Sequence, residues 1–211
     1  MSSTDIAPTR TKLLDAARDV IRAQGYSATT VDDICAAAGV SKGSFFHHFE
    51  SKEAMGVAAI DHWNVTTQAF FENAPYARLP DPRDRVFGYV DFREDLIKGD
   101  VYQFTCLIGT TVQEAYATYP ALRAICDTGL TNHIAMLARD LDAAKRRYAP
   151  DAAWSPESVG TFMQATLQGA FIFAKSTNDP EVAKACIGHL RNYLESLLGR
   201  APTGQARESV Q

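Results

Sequence analysis

Cysteine is scarce in this 211-residue chain. Cys35, Cys106, Cys126 and Cys186 are the full set, with no C-x-x-C pair and no zinc-like spacing among them. That excludes a disulfide scaffold and a structural zinc module, and the thiols are expected to be reduced. Long hydrophobic runs are also missing. Although 46% of the residues are hydrophobic, no stretch approaches the roughly 18 apolar residues that mark a membrane span. The opening Met-Ser-Ser-Thr-Asp-Ile-Ala-Pro lacks an apolar signal core, so the expected location is the cytoplasm and no membrane partner is expected. Strand-like alternation and internal repeats are absent, which points to an all-α fold. Positive charge is not in excess either: the net charge is -4. Residues 1–55 carry six Lys/Arg (10, 12, 18, 22, 42, 52) against seven Asp/Glu (5, 15, 19, 32, 33, 50, 53). A general polycation for coating nucleic acid is therefore excluded. His62 and His133, with Asp61 nearby, lack the i, i+4 partners of a helical metal site, so no metal or cofactor is expected and His133 reads as a hydrogen-bonded core or interface residue.

What is there is a compact signal between Thr29 and Phe49. Thr30 followed by Asp33 reads as a capping box opening a helix, with acidic side chains near the positive end of its dipole. Val31, Ile34, Cys35 and Ala38 recur on one face of that helix. Gly39 stands where a helix end takes a left-handed residue, and Ser41 is a good N-cap for the next helix, which begins Lys42-Gly43-Ser44. Gly43 costs about 1 kcal/mol against Ala in a helix, so its presence predicts a close approach of the backbone to something outside. Upstream, Leu13, Ala17, Val20 and Ile21 form a further stripe, ended by Gly25, and Tyr26 is suited to packing back on it. Two short helices joined by a glycine turn, the second opening on small, polar and basic residues, are how a helix-turn-helix presents a recognition helix to the major groove.

Residues 39–55, Gly-Val-Ser-Lys-Gly-Ser-Phe-Phe-His-His-Phe-Glu-Ser-Lys-Glu-Ala-Met, resemble the recognition-helix signature of TetR-type transcriptional regulators. The likeness covers residues 10–60. It implies a homodimer that binds double-stranded DNA at a palindromic operator and answers a small-molecule effector. Each subunit would have an N-terminal three-helix helix-turn-helix domain (1–55, with 1–8 a disordered arm). A larger helical effector-binding and dimerisation domain (56–199) and a disordered tail (200–211) would follow, with about nine helices in all. Carried over by position, Thr30 would hydrogen-bond a phosphate, while Ser41, Lys42, Gly43 and Ser44 would enter the major groove. His47 and His48 would reach base edges or phosphates, and Lys52 a phosphate. Two positions depart from the common pattern. Phe46 stands where a tyrosine hydroxyl often meets a phosphate, and Glu50 where a basic or neutral residue is common; both shift weight from backbone to base contacts.

Beyond the motif the chain reads as a series of helices punctuated by Pro82, Pro120, Pro156 and Pro180. The last two, over 155–176 and 180–199, are apolar around much of their circumference and rich in small residues, which predicts dimerisation through a four-helix bundle. Trp63, Tyr89, Phe92, Phe104, Tyr116, Tyr119, Phe162, Met163, Phe171 and Phe173 are expected mostly in the core. Trp63, Phe92, Gln168 and Phe171 are expected to line an effector cavity. Phe104-Thr105-Cys106-Leu107-Ile108-Gly109 and Ala174-Lys175-Ser176 resemble segments of the NemR-like, electrophile-responsive branch of that family, with Thr105 where the branch has glycine. The resemblance implies that Cys106 is a sensor. Lys175, set in an apolar helix, would then favour its reactive thiolate. Two other readings stay open at this point: a helical enzyme using Cys106 as nucleophile, and a DNA-binding protein without an effector.

Overall fold

The computed structural model describes residues 6–199. The expected tail over 200–211 lies outside them, as do residues 1–5 of the expected arm; residues 6–8 already belong to the first helix. Among the described residues there are ten α-helices, one 3-10 turn and no strand. They are α1 (Ile6–Gln24), α2 (Val31–Ala38), α3 (Lys42–His48), α4 (Lys52–Glu72), a 3-10 turn (Pro75–Arg78), α5 (Pro82–Asp95), α6 (Val101–Phe104), α7 (Leu107–Ala115), α8 (Pro120–Tyr148), α9 (Pro156–Thr177) and α10 (Pro180–Leu198). The helix beyond the expected number arises at Cys106. Its extended backbone (φ -85, ψ 126) interrupts the single helix expected over 104–117 and leaves the one-turn α6 before α7.

Caps fix the helix starts. Asp81, Ser155 and Asp179 each accept a backbone N–H of the turn they open and are followed by proline at the first helical position. Asn178 closes α9 in the left-handed region (φ 51).

The chain forms two compact units. Among the described residues the first comprises 6–68 and 105–130, the second 69–104 and 131–199. This partition differs from the contiguous one read from the sequence, because α7 and the start of α8 return to the N-terminal helices. The core of the first unit joins Leu13, Ile21, Tyr26, Ile34, Phe45, Met55 and Ile60 to Leu107, Ile108, Ala115, Leu122 and Cys126. Two polar ties accompany this packing. Arg22 Nε donates to the carbonyl oxygen of Thr105 at 2.8 Å, and Ser27 N donates to Glu114 Oε2 at 2.7 Å. Glu114 also occupies the space beside Gly25, where a Cβ would stand 2.2 Å from its Oε1. In the second unit α10 packs on α9 and α5, and α5 on the 3-10 turn.

Candidate nucleic-acid interface and effector region

The helix-turn-helix is built as its residues dictate. Thr30 N donates to Asp33 Oδ2 at 2.8 Å and Asp33 N donates to Thr30 Oγ1 at 3.1 Å, closing the capping box. Gly39 takes the left-handed conformation (φ 66) and ends α2. Ser41 Oγ accepts from Ser44 N at 3.2 Å and starts α3. Phe45 anchors α3 from within, fully buried, with Phe49 beside it at 5.6 Å between ring centroids. That leaves Ser41, Lys42, Gly43, Phe46 and His47 exposed on the outer face, with Ser44 and His48 half-buried beside them.

Each of these residues carries a recognisable state. A Cβ on Gly43 would meet only Ser41 Oγ at 3.8 Å, so nothing among the described residues demands a glycine there. Lys42 Nζ lies 2.9 Å from Asp32 Oδ1, both exposed. Such a surface pair is worth about 0–1 kcal/mol and yields readily to a phosphate. Phe46 is 51% exposed, an apolar ring turned away from the core. Burial, then the neighbouring His47 and Arg10, hold His48 below the ordinary imidazole value, which makes it a neutral hydrogen-bonding group at pH 7. Lys52 Nζ lies 4.4 Å from the centre of the Tyr26 ring and donates to the carbonyl oxygen of Ser27 at 3.3 Å. Burial lowers its pKa, opposed by Glu114 and Asp33. Thr30 is the residue whose expected role meets competition. Its hydroxyl donates to Asp33 Oδ2 at 2.7 Å, so its one hydrogen already serves the cap.

The residues expected at the effector fall in both units. Trp63 and Cys106 belong to the first, where both are half-buried against its core and the Arg22 guanidinium lies 5.2 Å from the Trp63 ring. Cys126 of the same unit is fully buried, and its thiol is pushed up to about 12 by burial and then by Cys106. Phe92, Gln168, Phe171 and Lys175 belong to the second. Phe92 sits in an aromatic cluster, 5.4 Å from Phe70, 6.0 Å from Phe71 and 5.6 Å from Tyr76. Phe171 is buried, 6.1 Å from Phe104, while Gln168 is half-buried and Lys175 exposed on α9. Three aromatics expected in the core are exposed instead: Tyr116 and Phe173 at 60% and Phe162 at 45%. Helical spacing identifies a stripe, not the partner that covers it.

Sequence reasoning missed two features of the second unit. One is a cavity of about 220 Å³ with Phe71, Tyr76, Val86, Tyr89, Leu137 and Met163 in its wall and Arg85, Arg139, Glu72 and Asp140 also lining it. The other is a polar network behind it: Gln164 Nε2 donates to Tyr89 Oη at 3.1 Å, which lies 2.9 Å from His133 Nε2. Burial and then Arg93 lower the His133 pKa to about 3. The ring is therefore neutral, and Nε2 and the Tyr89 hydroxyl share one hydrogen bond. His133 is half-buried and makes the hydrogen bond expected of it. Among the described residues no group of three or more His, Cys, Asp or Glu is placed to hold a metal ion, and no helix is long and apolar enough to cross a membrane.

Comparison with known proteins agrees with this geometry. The family described as bacterial regulatory proteins, tetR family, matches residues 13–59, and the tetracyclin repressor-like C-terminal domain matches residues 82–190. The HTH-type transcriptional repressor NemR of Escherichia coli K12 is 25% identical over 186 residues, covering 88% of this chain and 94% of its own. The crystal structure of its reduced form matches with a TM-score of 0.73 over 87% of this chain and 96% of that one. The HTH-type transcriptional repressor KstR2 of Rhodococcus jostii is 54% identical over 46 residues, 22% of either chain. A TetR transcriptional regulator from Chloroflexus aurantiacus, 22% identical, shares the fold with a TM-score of 0.80 over 92% of this chain and 98% of its own. With a DNA-reading head and a helical C-terminal region that both match, this chain is a helix-turn-helix transcriptional regulator and belongs to the TetR family.

Proposed function

We propose that this regulator is a repressor that binds a two-fold-symmetric operator as a homodimer and releases it when a small, largely apolar molecule acts on it. The observation that carries the DNA half is the outer face of α3, where Ser41, Lys42, Gly43 and His47 are exposed and no side chain among the described residues crowds Gly43. Thr30 and Lys52 flank this face from the starts of α2 and α4 and would lie against the phosphates. Support for the dimer comes from α9 and α10. Phe162, Ile172, Phe173 and Tyr193 expose apolar surface there, and among the described residues nothing beyond the helix itself lies within 4 Å of a Cβ built on Gly169 or Gly188. An apolar stripe with small residues is what a bundle interface uses.

A second reading is favoured by the state of the thiols. Cys35 and Cys126 are buried, whereas Cys106 and Cys186 are half-buried, and of these two Cys106 stands at the break before α7. That helix carries Glu114, bonded to the turn between α1 and α2. Alkylation of Cys106 would displace α7 and so reach the DNA-reading helices through Glu114 and Ser27. The test is a gel shift on DNA flanking the gene, with and without a small electrophile, for wild type and Cys106→Ser. Release of the wild type alone assigns the response to Cys106. Release of neither directs the search to reversible ligands of the second unit.

A further inference from the structure

Among the described residues of the second unit, Arg83 and Arg93 each have a buried Nε without an acceptor and a ring close by, that of Tyr148 for Arg83. Arg85, Arg139, Arg147 and Arg191 each have a carboxylate oxygen within 4.0 Å: Asp140, Glu72, Asp81 and Asp91 respectively. Arg93, on α5, has aromatic rings instead. Its guanidinium carbon lies 5.3 Å from the centre of the Phe71 ring and 5.3 Å from that of Phe171. Among the described residues no carboxylate pairs with it and no protein group accepts a hydrogen bond from its buried Nε. The charge is felt nevertheless, since it opposes protonation of His133 and favours ionisation of Tyr76.

Rings attract a guanidinium but accept none of its five in-plane hydrogens well, and a half-buried cation without an anion is costly. The planar fork matches a carboxylate two hydrogens at a time. Both rings are buried, and Phe71, already against the cation, also stands in the wall of the cavity described above, which offers space to the apolar part of such a molecule. We infer that Arg93 is the anchor for an organic anion, and that the effector of this regulator is an amphiphile with a carboxylate head and an apolar, aromatic-compatible body. The inference rests on the effector-responsive reading above and names the chemical class of effector that the second unit takes.

The probes are 2-naphthoate and 4-phenylbutyrate, each against its own primary amide, with binding to the full chain measured by calorimetry and thermal shift. Each acid binds about tenfold or more tightly than its amide, the worth of a charge-assisted pair. In Arg93→Gln the acids fall to the level of the amides, and Arg93→Lys, which keeps the charge without the fork, retains part of the preference. Equal binding of acid and amide, no binding of either acid, or a preference that survives Arg93→Gln overturns the inference. Should Arg93→Gln fail to fold, the acid–amide comparison on wild type and the Arg93→Lys series still decide it. Operator binding in a gel shift is scored separately. Loss of DNA binding refutes the regulator reading, whereas intact DNA binding without acid preference refutes only the role of Arg93.

Discussion

Replacing Gly43 with alanine separates folding from DNA recognition by driving them in opposite directions. Gly43 is the second residue of α3, its backbone is helical, and an added methyl would meet only Ser41 Oγ at 3.8 Å, an ordinary contact. Alanine is better than glycine in a helix by about 0.5–1 kcal/mol. Gly43→Ala is therefore expected to stabilise the protein by up to about 1 kcal/mol, seen as a small upward shift in the melting of the DNA-reading unit. On the operator the same methyl points at whatever the glycine was kept small for. Overpacking of a close contact costs about 1–3 kcal/mol, and a dimer meets it in both half-sites, so affinity is expected to fall by at least about tenfold. Melting curves and gel shifts on one preparation read both effects. A variant that is more stable and binds the operator as well as wild type would refute the claim that Gly43 faces the duplex.

Other outcomes follow from the same structure. Phe173→Glu, which places a charge on the exposed stripe of α9, is expected to shift the dimer toward monomer in sedimentation and to weaken operator binding together with it, while the far-UV spectrum stays helical. Thiol mapping with iodoacetamide and mass spectrometry is expected to label Cys106 well before Cys126, whose burial holds its thiol up at about 12. Faster labelling of Cys126 in the native protein would contradict the packing described. Acid stability tests His133. An unfolded histidine takes its proton near pH 6.5, but the folded ring only near about 3, so stability is complete above pH 6.5 and is lost as pH falls through that window. The slope is about 1.4 kcal/mol per pH unit, and His133→Gln is expected to remove it from chemical denaturation series at pH 4.5–6.5.

The DNA-reading helices were legible in the sequence because their determinants are local. Thr30 and Asp33 lie three residues apart, Gly39 and Ser41 bracket a turn, and the Ile34–Cys35 stripe is set by helical period, so each element could be placed from its own neighbours. The break at Cys106 was not legible. Thr105-Cys106-Leu107 contains no proline or glycine, and the interruption coincides with Arg22, 83 residues away, taking the Thr105 carbonyl. Arg93 was hidden for a related reason. In Phe92-Arg93-Glu94-Asp95 it reads as part of a solvated helix face, and only the arrival of Phe71 and Phe171 from other helices makes it a cation among rings. The exposed Phe162, Phe173 and Tyr116 show the converse, since apolar spacing identifies a surface to be covered without saying by what.

The return of α7 and the start of α8 to the N-terminal helices bears on how such regulators can be recombined. Tyr26, Leu107 and Leu122 share one core, and Gly56 leaves room for Tyr26 and Leu122, whose atoms would stand 2.9 Å and 3.2 Å from a Cβ there. A chimera cut after residue 60 would carry a head whose interior was shaped for one scaffold and a floor, residues 105–130, shaped for another. The DNA-reading portion of this chain is thus not a detachable cassette. Transplanting its specificity intact requires moving two stretches that are distant in the gene, or else rewriting only the outer face of α3 and leaving the shared interior untouched.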